Sequence, residues 1–247
     1  MDITNNSFLN FESPRFAGKV NFNTAAKNDF VTNEAFKTLR SNILFSGKDV
    51  KTILITSTFE NEGKSTIATE LSKSLSDINK KTLLIDADMR KSAILRHNLK
   101  SQNILGLSEY LSSQAQLDEI LFETQIPYFN VIFSGRFPPN PVELLNSDKF
   151  ADLIKFASEK YDFIVIDSPP LTPVIDASVI SVHCDGAILV ISKGKTRLTD
   201  ATAAKEQLKK SGCKILGAVI NQTDSKNRNY GRFNKKSKYY YAENRPK

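Results

Sequence analysis

At 247 residues, with 40% hydrophobic and 25% charged side chains, the chain is long enough to enclose a full α/β core. Two distant cysteines, Cys184 and Cys213, and only two histidines argue against a disulfide framework and a Cys/His zinc site. The net charge of +7 is concentrated at one end: from Asp224 to Lys247 eight Lys/Arg face two acids, and the rest of the chain is nearly neutral.

Residues 1–30 lack a sustained period and predict an extended or disordered N-terminal arm. The opening Met1-Asp2-Ile3-Thr4 has no basic start leading into an apolar run, so no secretory signal is expected. A helix is predicted over Thr32–Phe45, with Thr32 as its cap and Ala35, Phe36, Leu39, Ile43 and Leu44 on one side. Strands are then expected at Thr52–Thr56, Thr82–Asp86, Asn130–Phe133, Phe163–Asp167, Ala187–Ser192 and Lys214–Asn221. Most are unbroken apolar runs, the pattern of strands buried on both faces. Helices are expected between them at Ser65–Ile78, with Ile67, Leu71, Leu75 and Ile78 facing inward, and at Ser147–Lys160 and Asp200–Ser211. This alternation predicts an α/β fold with a mostly parallel sheet flanked by helices on both faces. No apolar stretch approaches the roughly 20 residues of a spanning helix, so a cytoplasmic protein is expected. After Gln222 the aliphatic residues nearly vanish, and residues 224–247 read as a disordered, basic, tyrosine-rich tail.

Three segments carry chemistry. Thr58-Phe59-Glu60-Asn61-Glu62-Gly63-Lys64-Ser65-Thr66 joins the first strand to a helix. Backbone N–H groups at such a helix start face an anion, a lysine adds a point charge for the outer phosphates, and the next hydroxyl can ligate Mg²⁺. Asn61, Glu62, Gly63, Lys64, Ser65 and Thr66 are therefore the candidate nucleotide contacts, although Thr58 stands where a P-loop usually begins with glycine. The strands ending in Asp86-Ala87-Asp88 and in Asp167-Ser168-Pro169-Pro170 each run straight into carboxylates. In a doubly wound sheet the strand carboxyl ends converge, which would bring these acids beside the phosphates and a Mg²⁺ ion.

Together these segments resemble the bacterial tyrosine kinases, P-loop kinases of capsule and exopolysaccharide synthesis. The likeness rests on the Gly63-Lys64-Ser65-Thr66 loop, on Asp86-Ala87-Asp88-Met89-Arg90 as D-x-D-x-R, and on Asp167-Ser168-Pro169-Pro170 as D-[ST]-P-P. It continues through Pro138-Pro139-Asn140-Pro141-Val142-Glu143-Leu144-Leu145 and Val174-Ile175-Asp176-Ala177. The resemblance implies an ATP-dependent kinase domain over residues 31–223. It gives Lys64, Asp86, Asp88 and Asp167 as catalytic residues, Ser65, Asp88 and Asp167 as the Mg²⁺ set, Asp86 as candidate base, and Asn221 as the adenine contact. Glu34-Ala35-Phe36-Lys37-Thr38-Leu39-Arg40 is similar to the family's E-x-x-R-x-x-R association motif. It implies oligomer contacts through Glu34, Lys37 and Arg40 on a helix over 31–46, a ring being one form they could take. Lys37 keeps the charge of the family's arginine without its planar fork. The loop also departs from the family's P-G-x-G-K, with Glu60 and Asn61 in the first two positions.

In the family a carboxyl-terminal tyrosine cluster is the autophosphorylation substrate, which implies Tyr230, Tyr239, Tyr240 and Tyr241 as phosphoacceptors, reached in trans, along with other protein tyrosines. A basic tail with stacked aromatics can also bind nucleic acid, but the kinase segments weigh against that partner. The resemblance further implies a membrane-embedded co-polymerase whose cytoplasmic tail activates the kinase at the inner membrane face. Two alternatives are a switch ATPase of the MinD and ParA type and an ATP-binding scaffold. The former usually carries a signature lysine where this chain has Phe59.

Overall fold

The computed structural model of the protein describes residues 15–21, 30–94 and 104–223. The strands are β1 (Gly18–Val20), β2 (Thr52–Ser57), β3 (Thr82–Asp86), β4 (Leu121–Thr124), β5 (Phe129–Ile132), β6 (Phe163–Asp167), β7 (Gly186–Ser192) and β8 (Ile215–Asn221). They form one sheet in the order β1-β4-β5-β3-β6-β2-β7-β8. From β5 to β8 every neighbouring pair is parallel, while β4 runs antiparallel to β5 and carries β1 alongside it in parallel.

The unbroken apolar runs follow from the two faces of this sheet. Leu54, Leu83, Ile85, Ile164 and Ile166 enter one buried cluster, and Ile53, Ile55, Leu84, Phe163 and Val165 enter the other. Successive side chains thus alternate between two cores, and the middle of each of these strands is apolar throughout. Helix α1 (Phe30–Phe45) lies against α2 (Lys64–Ser76), whose Ile67, Leu71 and Leu75 close the second core. On the opposite face are α3 (Leu107–Leu111), α4 (Pro141–Leu145), α5 (Asp148–Lys160), α6 (Asp176–Ser181) and α7 (Leu198–Lys210). Ser147 caps α5 by accepting from the Phe150 N–H, so that helix starts where its polar residue stops the preceding turn.

Several expectations change. Gly18–Val20, within the expected arm, is an edge strand, and β4 was not foreseen either. Thr32 sits inside α1, which begins at Phe30, and of its expected apolar stripe Ala35 and Leu44 are exposed while Ile43 is buried. Ile78 lies beyond the end of α2 and is 36% exposed. β8 reads as a buried run, yet it is the last strand of the sheet, with Gly217, Ala218 and Ile220 exposed.

At the amino ends of the parallel strands two aspartates fix the register. The Asp185 carboxylate accepts from the backbone N–H of Lys51 (2.8 Å) and Thr52 (2.7 Å), and Asp162 accepts from that of Lys81 (2.8 Å). Each acid precedes one strand and satisfies donors at the start of its neighbour.

Candidate active site

At the other end of the sheet β2 runs into the phosphate loop. Asn61 (φ 61°) and Gly63 (φ 89°) adopt left-handed backbone, which turns the chain sharply into α2. Asn tolerates this geometry better than most residues, so the family's glycine can be replaced at position 61. Gly63 has a further constraint: a Cβ there would stand 2.0 Å from the Asn221 amide nitrogen.

The loop is braced from within. Glu62 is buried; its carboxylate accepts from the Phe59 N–H (2.9 Å), the Ser192 N–H (3.3 Å) and the Thr196 hydroxyl. Its side chain therefore points into the protein, and only its backbone is free for an anion. Asn221 donates to the Glu62 carbonyl at 2.9 Å, and Gln222 to the Asn61 carbonyl at 2.8 Å. Asn221 thus touches the phosphate loop itself.

The acids gather as the sheet requires. In the β3–β6 register Asp86 stands directly opposite Asp167, and the Ala87 N–H donates to the Asp167 carbonyl at 2.8 Å. Lys64 reaches over them to Asp88, 3.0 Å away. Asp86 is fully buried and accepts from the Asp88 N–H at 3.2 Å and from the Ser92 hydroxyl. Burial first, and then the facing Asp167 carboxylate, push the Asp86 carboxyl well above its ordinary range. Asp167 is buried, and neither of its oxygens has a hydrogen-bond partner. Burial raises its carboxyl to about 6, against the opposing pull of Lys64 and the nearby Ser65 hydroxyl. For Lys64 burial works to lower the ammonium, but Asp167, Asp88 and Asp86 outweigh it and the lysine is held charged.

A cleft of 330 Å³ opens above this cluster, lined by Asn61, Gly63, Lys64, Ser65, Thr66 and Asp88 together with Arg90, Pro169 and Val174. Asp86 and Asp167 lie beneath its floor. Two ion pairs hold the rim. Arg90 makes a two-pronged contact with the buried Asp176 (3.0 and 3.2 Å), tying the loop after β3 to α6, and Lys91 meets Glu60 of the phosphate loop at 2.7 Å. Arg90, Asp176, Glu60 and Asn61 fell within segments already singled out, but nothing in those segments announces these pairings or points to Lys91 and Gln222.

The donor set fits a hydrated divalent cation. Asp167 offers two buried oxygens without partners, beside the Ser65 hydroxyl and below Asp88. Among the described residues no three His, Cys, Asp or Glu side chains converge into a cage, so phosphate oxygens and water would complete the shell, as Mg²⁺ commonly requires.

The predicted association residues lie elsewhere. On α1 Lys37 pairs with Glu34 at 2.8 Å on the surface, whereas Arg40 donates to the Ser74 carbonyl of α2 at 2.6 Å and so clips the two helices together. Tyr230, Tyr239, Tyr240 and Tyr241 lie outside the described residues.

Residues 50–198 match the family described as AAA domain. The tyrosine-protein kinase CpsD of Streptococcus agalactiae is 42% identical over 200 residues, covering 81% of this chain and 87% of that protein. The crystal structure of the chimerical protein CapA2B2 superposes with a TM-score of 0.76 at 31% identity, over 84% of this chain and 94% of that one. The kinase domain of the Escherichia coli tyrosine kinase ETK gives 0.72 at 30% identity, with 78% of each chain covered. The cell-division ATPase MinD of Pyrococcus furiosus shares the fold less fully, at 0.58 and 27% identity over 70% of this chain and 74% of that one. With the phosphate loop, the two strand-end acid segments and these relatives in agreement, the chain belongs to the bacterial protein-tyrosine kinase family, built on a nucleotide-binding P-loop domain.

Proposed function

We propose that this kinase transfers the γ-phosphoryl group of ATP to the tyrosines of its own tail, Tyr230 and Tyr239 to Tyr241, with a second copy of the chain as donor enzyme. The observation that supports this most is the charged, buried Lys64 above the register-paired Asp86 and Asp167 beneath the floor of the cleft. Ser65, Asp88 and Asp167 would hold Mg²⁺, which supplies charge neutralisation on the phosphates when bound. Lys64 orients the outer phosphates. The phenolic oxygen bonds to the γ-phosphorus, the bond to the β,γ-bridging oxygen breaks, and ADP leaves. Asp86 is the candidate acceptor of the phenolic proton. Its raised carboxyl must ionise first, which positive charge arriving beside it favours.

Each phosphate would add a charge of about −1.5 to −2, so three or four would cancel or reverse the excess of basic residues in the tail. We further propose that Glu34, Lys37 and Arg40 serve self-association, that the kinase acts in capsular or exopolysaccharide synthesis, and that a membrane-embedded partner recruits it to the inner membrane face. Among the described residues no helix is long and apolar enough to cross a membrane. The switch-ATPase reading is weaker, because Phe59 stands at the position of the signature lysine and the likeness to MinD is lower.

The decisive experiment incubates the full chain with Mg-ATP, with and without a candidate activator tail, and maps phosphotyrosine by mass spectrometry. Phosphate on the four tail tyrosines, lost in Lys64→Met, is the expected result; ATP turnover without phosphotyrosine in the presence of a proven activator would sink the proposal. Replacing the four tyrosines by phenylalanine should remove most of the signal and leave ATP binding intact.

A further inference from the structure

We infer that Gln222 is a positioning residue for the nucleotide: its side-chain amide holds the phosphate loop in its anion-accepting form by fixing Asn61 in left-handed backbone. The amide is used at both ends. Its nitrogen donates to the Asn61 carbonyl at 2.8 Å, and its oxygen accepts from the Ser192 hydroxyl at 2.6 Å. Ser192 ends β7 and Gln222 follows β8 directly, so the contact links the ends of two strands to the loop leaving a third. The adjacent Asn221 secures the next carbonyl, that of Glu62, at 2.9 Å, and its own carbonyl accepts from the Lys193 N–H at 3.0 Å. Two consecutive side chains therefore grip two consecutive loop carbonyls.

Such a grip has a purpose at position 61. A residue other than glycine favours negative φ, and Asn61, which lines the cleft, is held at 61°. If the carbonyl were released, the loop would relax away from this geometry, and the N–H groups that follow would no longer converge on one anion. The Gln222 bond opposes that relaxation and does for asparagine what a glycine would do without help. Gln222 touches no phosphate on this reading; it acts through the loop.

The test is a cycle on the full chain, comparing wild type, Gln222→Ala, Gln222→Glu, Asn61→Gly and the Asn61→Gly/Gln222→Ala double variant. ATP affinity is measured by calorimetry, and kcat and KM for ATP are taken from the kinase assay. Loss of one hydrogen bond of this kind predicts a rise of about two- to ten-fold in Kd and KM in Gln222→Ala, with kcat at saturating ATP nearly unchanged. Gln222→Glu keeps the size and the Ser192 contact but cannot donate to Asn61, so it should weaken binding at least as much, and it carries the test should the alanine variant misfold. In the Asn61→Gly background the Gln222→Ala effect should shrink. An unchanged Kd in both Gln222 variants, an equal factor in both backgrounds, or a loss confined to kcat would each overturn the inference.

Discussion

The two ends of the parallel sheet both collect aspartates, and they use them in opposite ways. At the amino ends Asp162 and Asp185 are partly or largely exposed and turn their carboxylates onto backbone N–H groups of the neighbouring strand. At the carboxyl ends Asp86 and Asp167 are fully buried, face each other across the register, and the Asp167 carboxylate has no hydrogen-bond partner. Exposed acids bonded to backbone N–H groups fix the fold, whereas two buried acids facing one another, the Asp167 carboxylate without a partner, are a cost the fold carries for the chemistry above them. The same side chain, moved from one end of a strand to the other, passes from scaffold to machinery.

Substitutions at the two ends should therefore separate activity from stability. The largest effect is expected for Lys64→Met, which removes the cation balancing three carboxylates and should lower phosphotransfer on the order of 100-fold or more, read by a radiolabelled ATP assay. A gain of stability should accompany the loss of activity in Asp167→Asn. Its carboxyl titrates at about 6 in the folded protein against an ordinary value of 3.8, so the folded state binds the proton more tightly than the unfolded chain. Ionised Asp167 thus costs about 3 kcal/mol above pH 6, a cost that fades as pH falls from 6 towards 4. In metal-free urea unfolding, wild type should gain stability over that window while Asp167→Asn gains about 3 kcal/mol less; parallel pH profiles would break the contrast.

At the amino ends the signs reverse. Asp185→Ala leaves two N–H groups at the start of β2 without their acceptor and should cost about 1–2 kcal/mol in unfolding, with ATP affinity unaltered by calorimetry. Asp162→Ala, which releases the single Lys81 N–H, should cost about 1 kcal/mol or less. A change in nucleotide affinity in either variant would show that the amino ends are not pure scaffold.

Much of this division was legible in the sequence, and the reason is the unbroken apolar run. The apolar runs of β2, β3, β6 and β7 predict strands between two cores, and their terminal acids then fall at one end by topology alone. What escaped has physical causes too. β1 is three residues long, and β4, Leu-Phe-Glu-Thr, is too short and mixed to show a period. The run in β8 does not distinguish an inner strand from an edge strand, since that depends on what pairs beyond it. In the site, Lys64, Asp88 and the loop residues Asn61, Gly63, Ser65 and Thr66 line one cleft. Asp86 lies below the floor, and Asn221 meets the loop itself, because a side chain's direction depends on packing that no motif encodes. Long-range partners such as Arg90 with Asp176 and Asn61 with Gln222 lie 86 and 161 residues apart in sequence, so nothing local announces them.

Among the described residues β8 pairs with β7 alone, so one row of its backbone N–H groups has no strand to shield it. In a deuterium-exchange experiment those outward amides should label early, while β2, β3 and β6 label last. The strand whose end grips the phosphate loop is thus also one open to the solvent's isotope along an edge. Its labelling rate near Asn221 offers a reporter of the loop's occupancy that needs neither turnover nor a phosphorylated product.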